Sequence, residues 1–478
     1  MPDIKKVVSF FILLFSDIAA LLSAFLISFL IRDRVLPVIS SGFSQEPVPL
    51  PVQLKYGFLY GTLIIFIVFA FERLYTKRFA YWEEIKHLAR GLTLSFVLLM
   101  MFVFISREYE RYSRAVLLMT WFFSLIVFPL VRINVKKLMA TSTLWKKRIF
   151  IIGTNELARL VAVELHKNKS LGYEIAGFLA HGRNDCNPQV KDSDIVGGMA
   201  DYERLSEAMG VKDVIVALSH VPQEELLKTL ILCEKSAETI RIIPRLGNIF
   251  TMGVEIESLG DVLSLSVARN LTKPWNIFLK GLFELILGTF LAILFLPLFI
   301  GIGIAIKLSS PGSMFYIQTR LGGKKGTFRC YKFRSMYADS EDRLKKYLQE
   351  NPAAQQEWER YRKLKNYDPR VTSIGRIIRR FSLDEVPNFI NFFKRDMNLV
   401  GPRPYMPEEK DLIGKSYEII SRVKPGITGL WQVRGRNLLT FRDRVLLDEY
   451  YIRNWSLWLD IIILLKTIKV FVTREGAY

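Results

Sequence analysis

Four long apolar segments open the chain and predict membrane-spanning helices. Polar connectors separate the segments, which cover residues 7–31, 56–71, 88–105 and 115–131. A helix needs roughly 17–25 apolar residues to cross the hydrocarbon core of a bilayer, and the second segment is the shortest of the four. Basic residues precede the first segment, separate the second from the third and follow the fourth, and such clusters favour the cytoplasmic side. The pattern predicts a four-helix transmembrane domain of two hairpins over residues 1–143.

Short β-rich runs then alternate with helical ones and predict a Rossmann-like domain over residues 144–268. Residues 148–153 are typical of a strand that enters a turn, and residues 155–167 of the helix that follows it. Further strands are predicted at 174–178, 213–218 and 239–243. The dinucleotide fingerprint is degraded, because Gly153 is present but Asn155 stands where the backbone should approach a pyrophosphate. We therefore expect a structural or regulatory domain rather than one that binds a cofactor.

Residues 275–307 form the longest apolar stretch outside the N-terminal domain. As a straight helix, residues 285–306 would be ~33 Å long, which is just enough to span a bilayer. However, Pro297 in its middle predicts a kink, and a full crossing would export the basic C-terminal third. We favour a re-entrant helix that breaks at Pro297 and returns to the cytoplasmic side. Glu284 would then lie at the membrane interface or among protein groups.

Composition narrows the class of protein and of partner. Half of the 478 residues are hydrophobic, yet the formal net charge is +20. In a membrane protein such charge faces anionic lipid and anionic substrates, and the chain has no nucleic-acid-binding module. The three cysteines lack a CxxC spacing, so neither a disulfide framework nor a zinc site is predicted. We interpret the N-terminal segment as a retained anchor because no small-residue cleavage site follows it.

The C-terminal third combines a basic hairpin with an acidic pair. Two strands are predicted at 314–320 and 326–334, and basic side chains on this hairpin suit a diphosphate. They are Arg320, Lys324, Lys325, Lys332 and Arg334. An amphipathic helix at 372–381 leads into Asp384 and Glu385, which suggests phosphate chemistry at a membrane surface. Two plainer alternatives exist: the bases are solvated charges, and residues 382–385 form a helix capping box.

Five short motifs of this region together resemble a known family. They are residues 332–336 (KFRSM), 382–387 (SLDEVP), 400–404 (VGPRP), 425–429 (PGITG) and 476–478 (GAY). This order resembles the catalytic domain of monotopic phosphoglycosyl transferases, the bacterial sugar transferase family. Four spans and a degenerate Rossmann-like domain ahead of it resemble the long-form branch, and the charged insert at 358–368 looks closest to galactose-phosphate transferases. One departure is Leu296, because the family often has serine before the proline that breaks the re-entrant helix.

The resemblance implies a fold and a covalent mechanism. The fold is membrane α/β, with a re-entrant helix and an α/β monotopic catalytic domain over residues 269–478. Asp384 would attack the β-phosphate of a UDP-hexose and release UMP, Glu385 would help to hold Mg²⁺, and Arg379 would neutralise charge. Undecaprenyl phosphate would then displace Asp384. Further expected contacts to phosphate or nucleotide are Pro402, Arg403, Pro404, Lys332, Arg334 and Arg436.

The resemblance also implies a location and a biological step. It places the protein in the bacterial inner membrane as a homodimer, with both later domains facing the cytoplasm, at the first membrane step of O-antigen, capsule or exopolysaccharide synthesis. Galactose 1-phosphate is the favoured group, and glucose 1-phosphate is the alternative. A membrane-anchored nucleotide or redox sensor built on the Rossmann-like unit is the competing class. An NAD-dependent epimerase would need an intact glycine fingerprint with a Tyr/Lys pair next to it, which the sequence lacks.

Overall fold

The structure is a computed structural model, and it forms two compact units, Met1–Gly247 and Asn248–Tyr478. It describes residues 4–39, 50–105, 113–142, 145–181, 190–191, 194–218, 221–243, 254–259, 262–267, 271, 273–361, 364, 367–435 and 439–473. The first unit begins with four apolar helices. They are α1 (Ile4–Leu30), α2 (Gly61–Phe71), α3 (Tyr81–Ile105) and α4 (Arg114–Thr141).

These helices confirm the four apolar helical segments, and the transmembrane domain over residues 1–143 stays a prediction. By length and composition, the described chain has helices able to cross a bilayer at Val7–Ile39, Tyr81–Ile105, Arg114–Thr141 and Pro274–Ser309. The apolar helix Phe58–Phe71 is shorter, as the sequence predicted for the second segment. A π-helical segment, Ile31–Val35, extends α1, and another, Leu54–Tyr60, precedes α2.

A buried ionic cluster joins three of the membrane helices. The Arg132 guanidinium on α4 donates to both carboxylate oxygens of Asp17 on α1, at 2.9 and 2.5 Å. It also donates to Glu84 on α3 at 3.2 Å, and Lys136 lies 2.7 Å from the same carboxylate. Arg132 and Lys136 thus neutralise Asp17 and Glu84, and this pairing offsets the cost of removing the charges from water.

A five-stranded parallel sheet confirms the Rossmann-like prediction. The strands are β1 (Lys147–Ile152), β2 (Tyr173–Ala180), β3 (Ile195–Gly198), β4 (Asp213–Val216) and β5 (Thr239–Ile242). Their order is β3-β2-β1-β4-β5, with every pair parallel. The accompanying helices are α5 (Glu156–Lys167), α6 (Tyr202–Met209) and α7 (Gln223–Glu234). The sequence analysis did not predict β3, which is four residues long and ends in two glycines.

Asn155 has a structural role in this domain. Its side-chain oxygen accepts from the Ala158 N–H at 3.1 Å and caps α5, while its amide donates to the Ala217 carbonyl at 3.1 Å. Gly153 has φ +114°, and a Cβ there would lie 2.5 Å from the same carbonyl oxygen. The asparagine thus joins the first turn of α5 to the end of β4, where a pyrophosphate would need free amides. These contacts agree with a structural role, and the absence of a ligand stays a prediction.

The first compact unit contains both the apolar helices and the parallel sheet. The Arg78 guanidinium, in the loop after α2, donates to the Leu171 carbonyl at 2.7 Å and lies 4.5 Å from the centre of the Trp145 ring. Membrane helices and sheet therefore belong to one compact unit, and the domain boundary near residue 143 stays a prediction. The second unit begins with the antiparallel hairpin β6 (Val254–Leu259) and β7 (Val262–Val267), which we had assigned to the Rossmann-like domain.

Helix α8 (Pro274–Ser309) is the long apolar helix of the second unit. Its 36 residues would measure ~54 Å if straight, and the helix continues through Pro297 without the predicted interruption. A kink at Pro297 and the re-entrant path stay predictions. Glu284 is buried among protein groups, which confirms one of the two environments expected for it.

The rest of the second unit surrounds the predicted hairpin. Strands β8 (Phe315–Leu321) and β9 (Thr327–Phe333) pair antiparallel, as expected. The helices that follow are α9 (Ser340–Glu350), α10 (Pro352–Tyr361), α11 (Ser373–Arg380) and α12 (Asn388–Phe393). Strands β10 (Asn398–Val400) and β11 (Gly426–Thr428) pair in parallel, and α13 (Phe441–Arg453) and α14 (Leu457–Thr473) complete the unit. One hydrophobic core joins β10, α13 and α14 through Val400, Tyr451 and Ile463, all fully buried.

Candidate active site

Helix α11 leads the chain into the acidic pair. Thr372 caps this helix by accepting from the Gly375 N–H at 2.8 Å. A Cβ at Gly375 would lie 1.9 Å from the Ser335 carbonyl oxygen, so the helix begins in direct contact with the end of the hairpin. From the last turn of α11, Arg379 donates to the Ser335 hydroxyl at 2.7 Å. The helix and the hairpin are thereby fixed to each other next to the acids.

The capping-box interpretation of Ser382 is wrong. Ser382 has φ 53° and ψ 25°, which is left-handed backbone, and its side chain makes no capping hydrogen bond. A single 3₁₀ turn, Leu383–Glu385, follows it. Leu383 and Val386 pack against the buried cluster formed by the end of α8, the end of β9 and α11. The turn is therefore held by its apolar residues on either side of the two carboxylates.

The two carboxylates lie beside a lysine. Lys332 Nζ is 2.6 Å from Glu385 Oε1. Burial and the negative charge of Glu385 raise the pKa of Asp384 to about 6, against the opposing effects of Lys332 and Arg379. Burial lowers the pKa of Lys332, but the charges of Glu385 and Asp384 outweigh it and raise that pKa. Asp384 is thus a carboxyl partly withdrawn from solvent beside a second carboxyl, an environment typical of functional sites.

The donor atoms of this pair fit a hard cation. Within the described residues, no group of three or more His, Cys, Asp or Glu side chains is placed to hold a metal. Mg²⁺ commonly binds through one or two carboxylates and completes its shell with water and substrate phosphate oxygens. The two adjacent carboxylates of Asp384 and Glu385 match that requirement. Glu385 and Asp384 would hold the ion, although the sequence prediction named only Glu385 for it.

The turn of Pro402, Arg403 and Pro404 forms a second group of predicted residues. Its position depends on the close approach of β10 and β11, since a Cβ at Gly426 would lie 2.0 Å from the Gly401 nitrogen. The Arg403 guanidinium lies 3.6 Å from Glu409 and 5.2 Å from the centre of the Trp431 ring. The turn therefore presents an arginine that is backed by an aromatic ring and a carboxylate.

Asp448 fixes this turn, and the sequence analysis missed it. One of its carboxylate oxygens accepts from the Arg403 backbone N–H at 2.9 Å and from the Tyr405 hydroxyl at 2.8 Å. Burial raises the pKa of Asp448 to about 7, although those two hydrogen bonds and the Arg403 charge lower it. The sequence gives no local signal for this role, because Asp448 is one acid in a charged helix 45 residues from its partner.

Lys280 joins the apolar helix to the same region. Its ammonium group is buried and donates to Glu284 at 2.6 Å, to Asp460 at 2.7 Å and to the Val400 carbonyl at 3.0 Å. Tyr451 also contacts it, at 3.2 Å. Because only Gly401 separates Val400 from the turn of Pro402–Pro404, α8 and α14 both support the start of that turn. The sequence predicted that Glu284 lies at the membrane interface or among protein groups, but it did not identify these partners.

The remaining predicted residues are placed differently. Arg334 donates to the carbonyls of Pro311 at 2.7 Å and Ser310 at 2.8 Å, so it satisfies the backbone that follows α8. Its predicted contact with phosphate stays a prediction with no geometric support. Arg436 lies outside the described residues, and Pro297 lies inside α8. The structure thus groups Asp384, Glu385, Lys332 and Arg379 at one site, and Pro402, Arg403 and Pro404 at the neighbouring turn.

Comparison with known proteins identifies two families along the chain. The family described as bacterial sugar transferase matches residues 275–474, which include α8 and the site, and the family described as CoA-binding domain matches residues 64–244. Undecaprenyl-phosphate galactose phosphotransferase of Salmonella typhimurium is 33% identical over 413 residues, covering 85% of this chain and 84% of the relative. UDP-glucose:undecaprenyl-phosphate glucose-1-phosphate transferase of Escherichia coli is 29% identical over 345 residues, 70% of this chain and 69% of that protein. Exopolysaccharide production protein ExoY of Sinorhizobium fredii is 40% identical over 199 residues, 42% of this chain and 88% of the relative.

Proposed function

This chain belongs to the bacterial sugar transferase family, and from that premise we propose that it transfers hexose 1-phosphate from a UDP-hexose to undecaprenyl phosphate. Relatives whose names specify this acceptor support the proposal. The membrane helices support it as well, because a lipid acceptor is available only at a bilayer. The product would be undecaprenyl diphosphate hexose, at the first membrane step of a surface polysaccharide.

The observation that most supports a covalent route is the Asp384 carboxyl, half-buried beside Glu385 and Lys332 with a pKa of about 6. In the first step a carboxylate oxygen of Asp384 attacks the β-phosphorus of the donor. The bond from that phosphorus to the bridging oxygen breaks, its electron pair stays on that oxygen, and UMP leaves. In the second step a phosphate oxygen of undecaprenyl phosphate attacks the same phosphorus and releases Asp384.

The neighbouring side chains have distinct roles in this proposal. Lys332 and Arg379 neutralise charge on the transferring phosphoryl group, and Lys332 also orients Glu385. Glu385 and Asp384 would hold Mg²⁺, which would supply further neutralisation of the phosphate oxygens. Arg403 binds the nucleotide portion of the donor from its turn. Helix α8 brings the acceptor lipid to the site around Asp384.

Release of UMP tests the reaction. Purified full-length protein in detergent is incubated with Mg²⁺, undecaprenyl phosphate and each member of a panel of UDP-hexoses. We expect UMP from one or two donors, a loss of at least about 1000-fold in Asp384→Asn, and normal turnover in the exposed control Asp411→Asn. Full turnover by Asp384→Asn would refute the nucleophile.

A labelling experiment separates the covalent route from a ternary one. Donor labelled in the sugar is supplied without lipid, and the digested protein is searched for a phosphosugar on the peptide that contains Asp384. An adduct that disappears when lipid is added supports two displacements. Full turnover with no adduct would instead make Asp384 a general base in a ternary complex.

The donor panel also decides the hexose. We favour galactose because the relative that covers 85% of this chain is named for it, while the glucose relative covers 70%. We further propose a cytoplasmic position for the site, a re-entrant α8 and a homodimer. Cysteines introduced at exposed Lys346 should react with an impermeant reagent only after the membrane is opened, and labelling of intact cells would mean that α8 crosses the bilayer.

A further inference from the structure

Arg320 is a buried cation next to the site. It lies on β8 with 8% of its surface exposed. One of its terminal nitrogens donates to the Pro404 carbonyl at 3.2 Å, and the other donates to the Gln318 side chain at 2.6 Å. Its Nε is buried and has no hydrogen-bond partner within the described chain. Both of the acceptors that it does contact are neutral.

The charge of Arg320 is not matched by a carboxylate. Among the residues that the structure describes, none with a carboxylate forms an ion pair with it, although Glu385 and Glu409 are close enough to raise its pKa. Burial nevertheless lowers that pKa overall, and the neighbouring Arg403 adds to the lowering. A buried guanidinium without an anion is costly, because it gives up its hydration without an opposite charge in return. Such a group at a reaction site is suited to an anion that arrives with the substrate.

The hairpin places this cation relative to the nucleophile. In the β8–β9 register, Arg320 pairs with Phe328, and Lys332 pairs with Tyr316. Positions 328 and 332 are an even number of residues apart, so Arg320 and Lys332 share one face of the hairpin. Lys332 contacts Glu385, while Arg320 contacts Pro404 of the arginine turn. The two cations therefore lie on the path from the acidic pair to the turn.

We propose that Arg320 binds the α-phosphate of the donor and stabilises the negative charge that develops on it as UMP leaves. The inference rests on the proposed function above and adds a residue to that site. As the bond between the β-phosphorus and the bridging oxygen breaks, the electron pair remains on the α-phosphate. The guanidinium, with its free Nε–H, donates to the oxygens that take up this charge. Lys332 acts on the β-phosphate at the same time.

A structural role in holding Pro404 would require no anion, and binding measurements distinguish the two. Dissociation constants of UMP and uridine are measured without turnover, by calorimetry on the full-length protein in detergent. Arg320→Gln keeps a side-chain donor for the Pro404 carbonyl but removes the charge. We expect UMP to bind at least about tenfold more weakly to it, with uridine changed less than about twofold, because a charged hydrogen bond is lost.

Two further variants distinguish binding of an anion by Arg320 from a structural role. Arg320→Lys should recover part of the UMP affinity, since it restores the charge but not the planar fork. The exposed Arg329→Gln, on the same hairpin, should bind both ligands like the wild type. Equal weakening of UMP and uridine by Arg320→Gln, or no weakening of UMP, would overturn the proposal. If uridine is too weak to measure, the UMP constant decides together with an unchanged unfolding temperature. Absence of transfer by the wild type would refute the proposed function and leave these binding constants interpretable.

Discussion

The ionised carboxylate of Asp384, our proposed nucleophile, should lower the free energy of unfolding. Its pKa is raised from 3.8 to about 6. At about 1.36 kcal/mol per pKa unit, this corresponds to at most about 3 kcal/mol of folding free energy at neutral pH. Asp384→Asn removes the charge and keeps the shape, so we expect it to be more stable than the wild type while it has no activity. In a unit of this size, the unfolding temperature would rise by at most roughly 10 °C.

The stability difference between the wild type and Asp384→Asn should depend on pH. Well below about pH 4 the carboxyl is protonated in both the folded and the unfolded chain, and wild type and variant should have similar stability. As the pH rises to about 6, the unfolded chain loses this proton more readily than the folded one, so the wild type loses stability. Above about pH 7, where the carboxyl is ionised in both states, the difference should be constant. The variant's advantage therefore develops between pH 4 and 6.

Thermal unfolding of the full-length protein from pH 4 to 8 measures this difference. Hydrogen exchange of peptides from α11 to β10 assigns it to the second unit rather than to the membrane helices. Asp411→Asn, an exposed acid of the same unit, serves as the matched control and should follow the wild type at every pH. An advantage of the same size at pH 4 and pH 7.5, or a variant less stable at pH 7.5, would refute the electrostatic reasoning.

Three further predictions concern the support of the site. Lys280→Met should cost about 3–5 kcal/mol because it leaves two buried carboxylates without their cation, whereas exposed Lys307→Met should stay within about 0.5 kcal/mol in thermal unfolding. Gly426→Ala should lower UMP release at least tenfold, because its Cβ would lie 2.0 Å from the backbone nitrogen of Gly401. Gly281→Ala is the control and should be active, because a Cβ at Gly281 would have no atom within 4 Å. Asp448→Ala should raise the KM for the donor about tenfold by leaving two buried donors unpaired, and Asp448→Asn should raise it less; equal effects of the two substitutions would contradict that role.

The elements that could be predicted are those with a local pattern of hydrophobic and polar residues. The alternation of residues 314–334 and the helical spacing of residues 372–381 predicted the hairpin and α11, and the pairing of Asp384 with Glu385 located the candidate site. The strand β3 was missed because four residues ending in two glycines do not stand out. Proline chemistry predicts a break at Pro297, yet α8 is helical on both sides of this residue. In an apolar setting, a helix satisfies more backbone groups than a broken chain does.

The contacts that support the site could not be predicted in this way. Lys280 meets the Val400 carbonyl across 120 residues and Asp460 across 180 residues. No periodicity or spacing connects positions so distant, since only the folded chain brings them together. Arg334 shows the opposite case, because its charge suggested phosphate binding and its geometry shows backbone carbonyls as partners. The residue types were visible in the sequence, but the partners were not.

The buried end of α8 limits how this enzyme can be shortened for expression. A truncated form that starts after Ser309 would lack the exposed apolar surface of α8, for which detergent is needed. It would also lose Lys280, and Asp460 would then be buried without its cation. The aromatic side chain of Phe392 would lose its contact with Gly288, and the cluster around Phe333 would lose Ile302 and Ile306. Fragments for crystallisation or screening must therefore begin before Pro274, and they will need detergent.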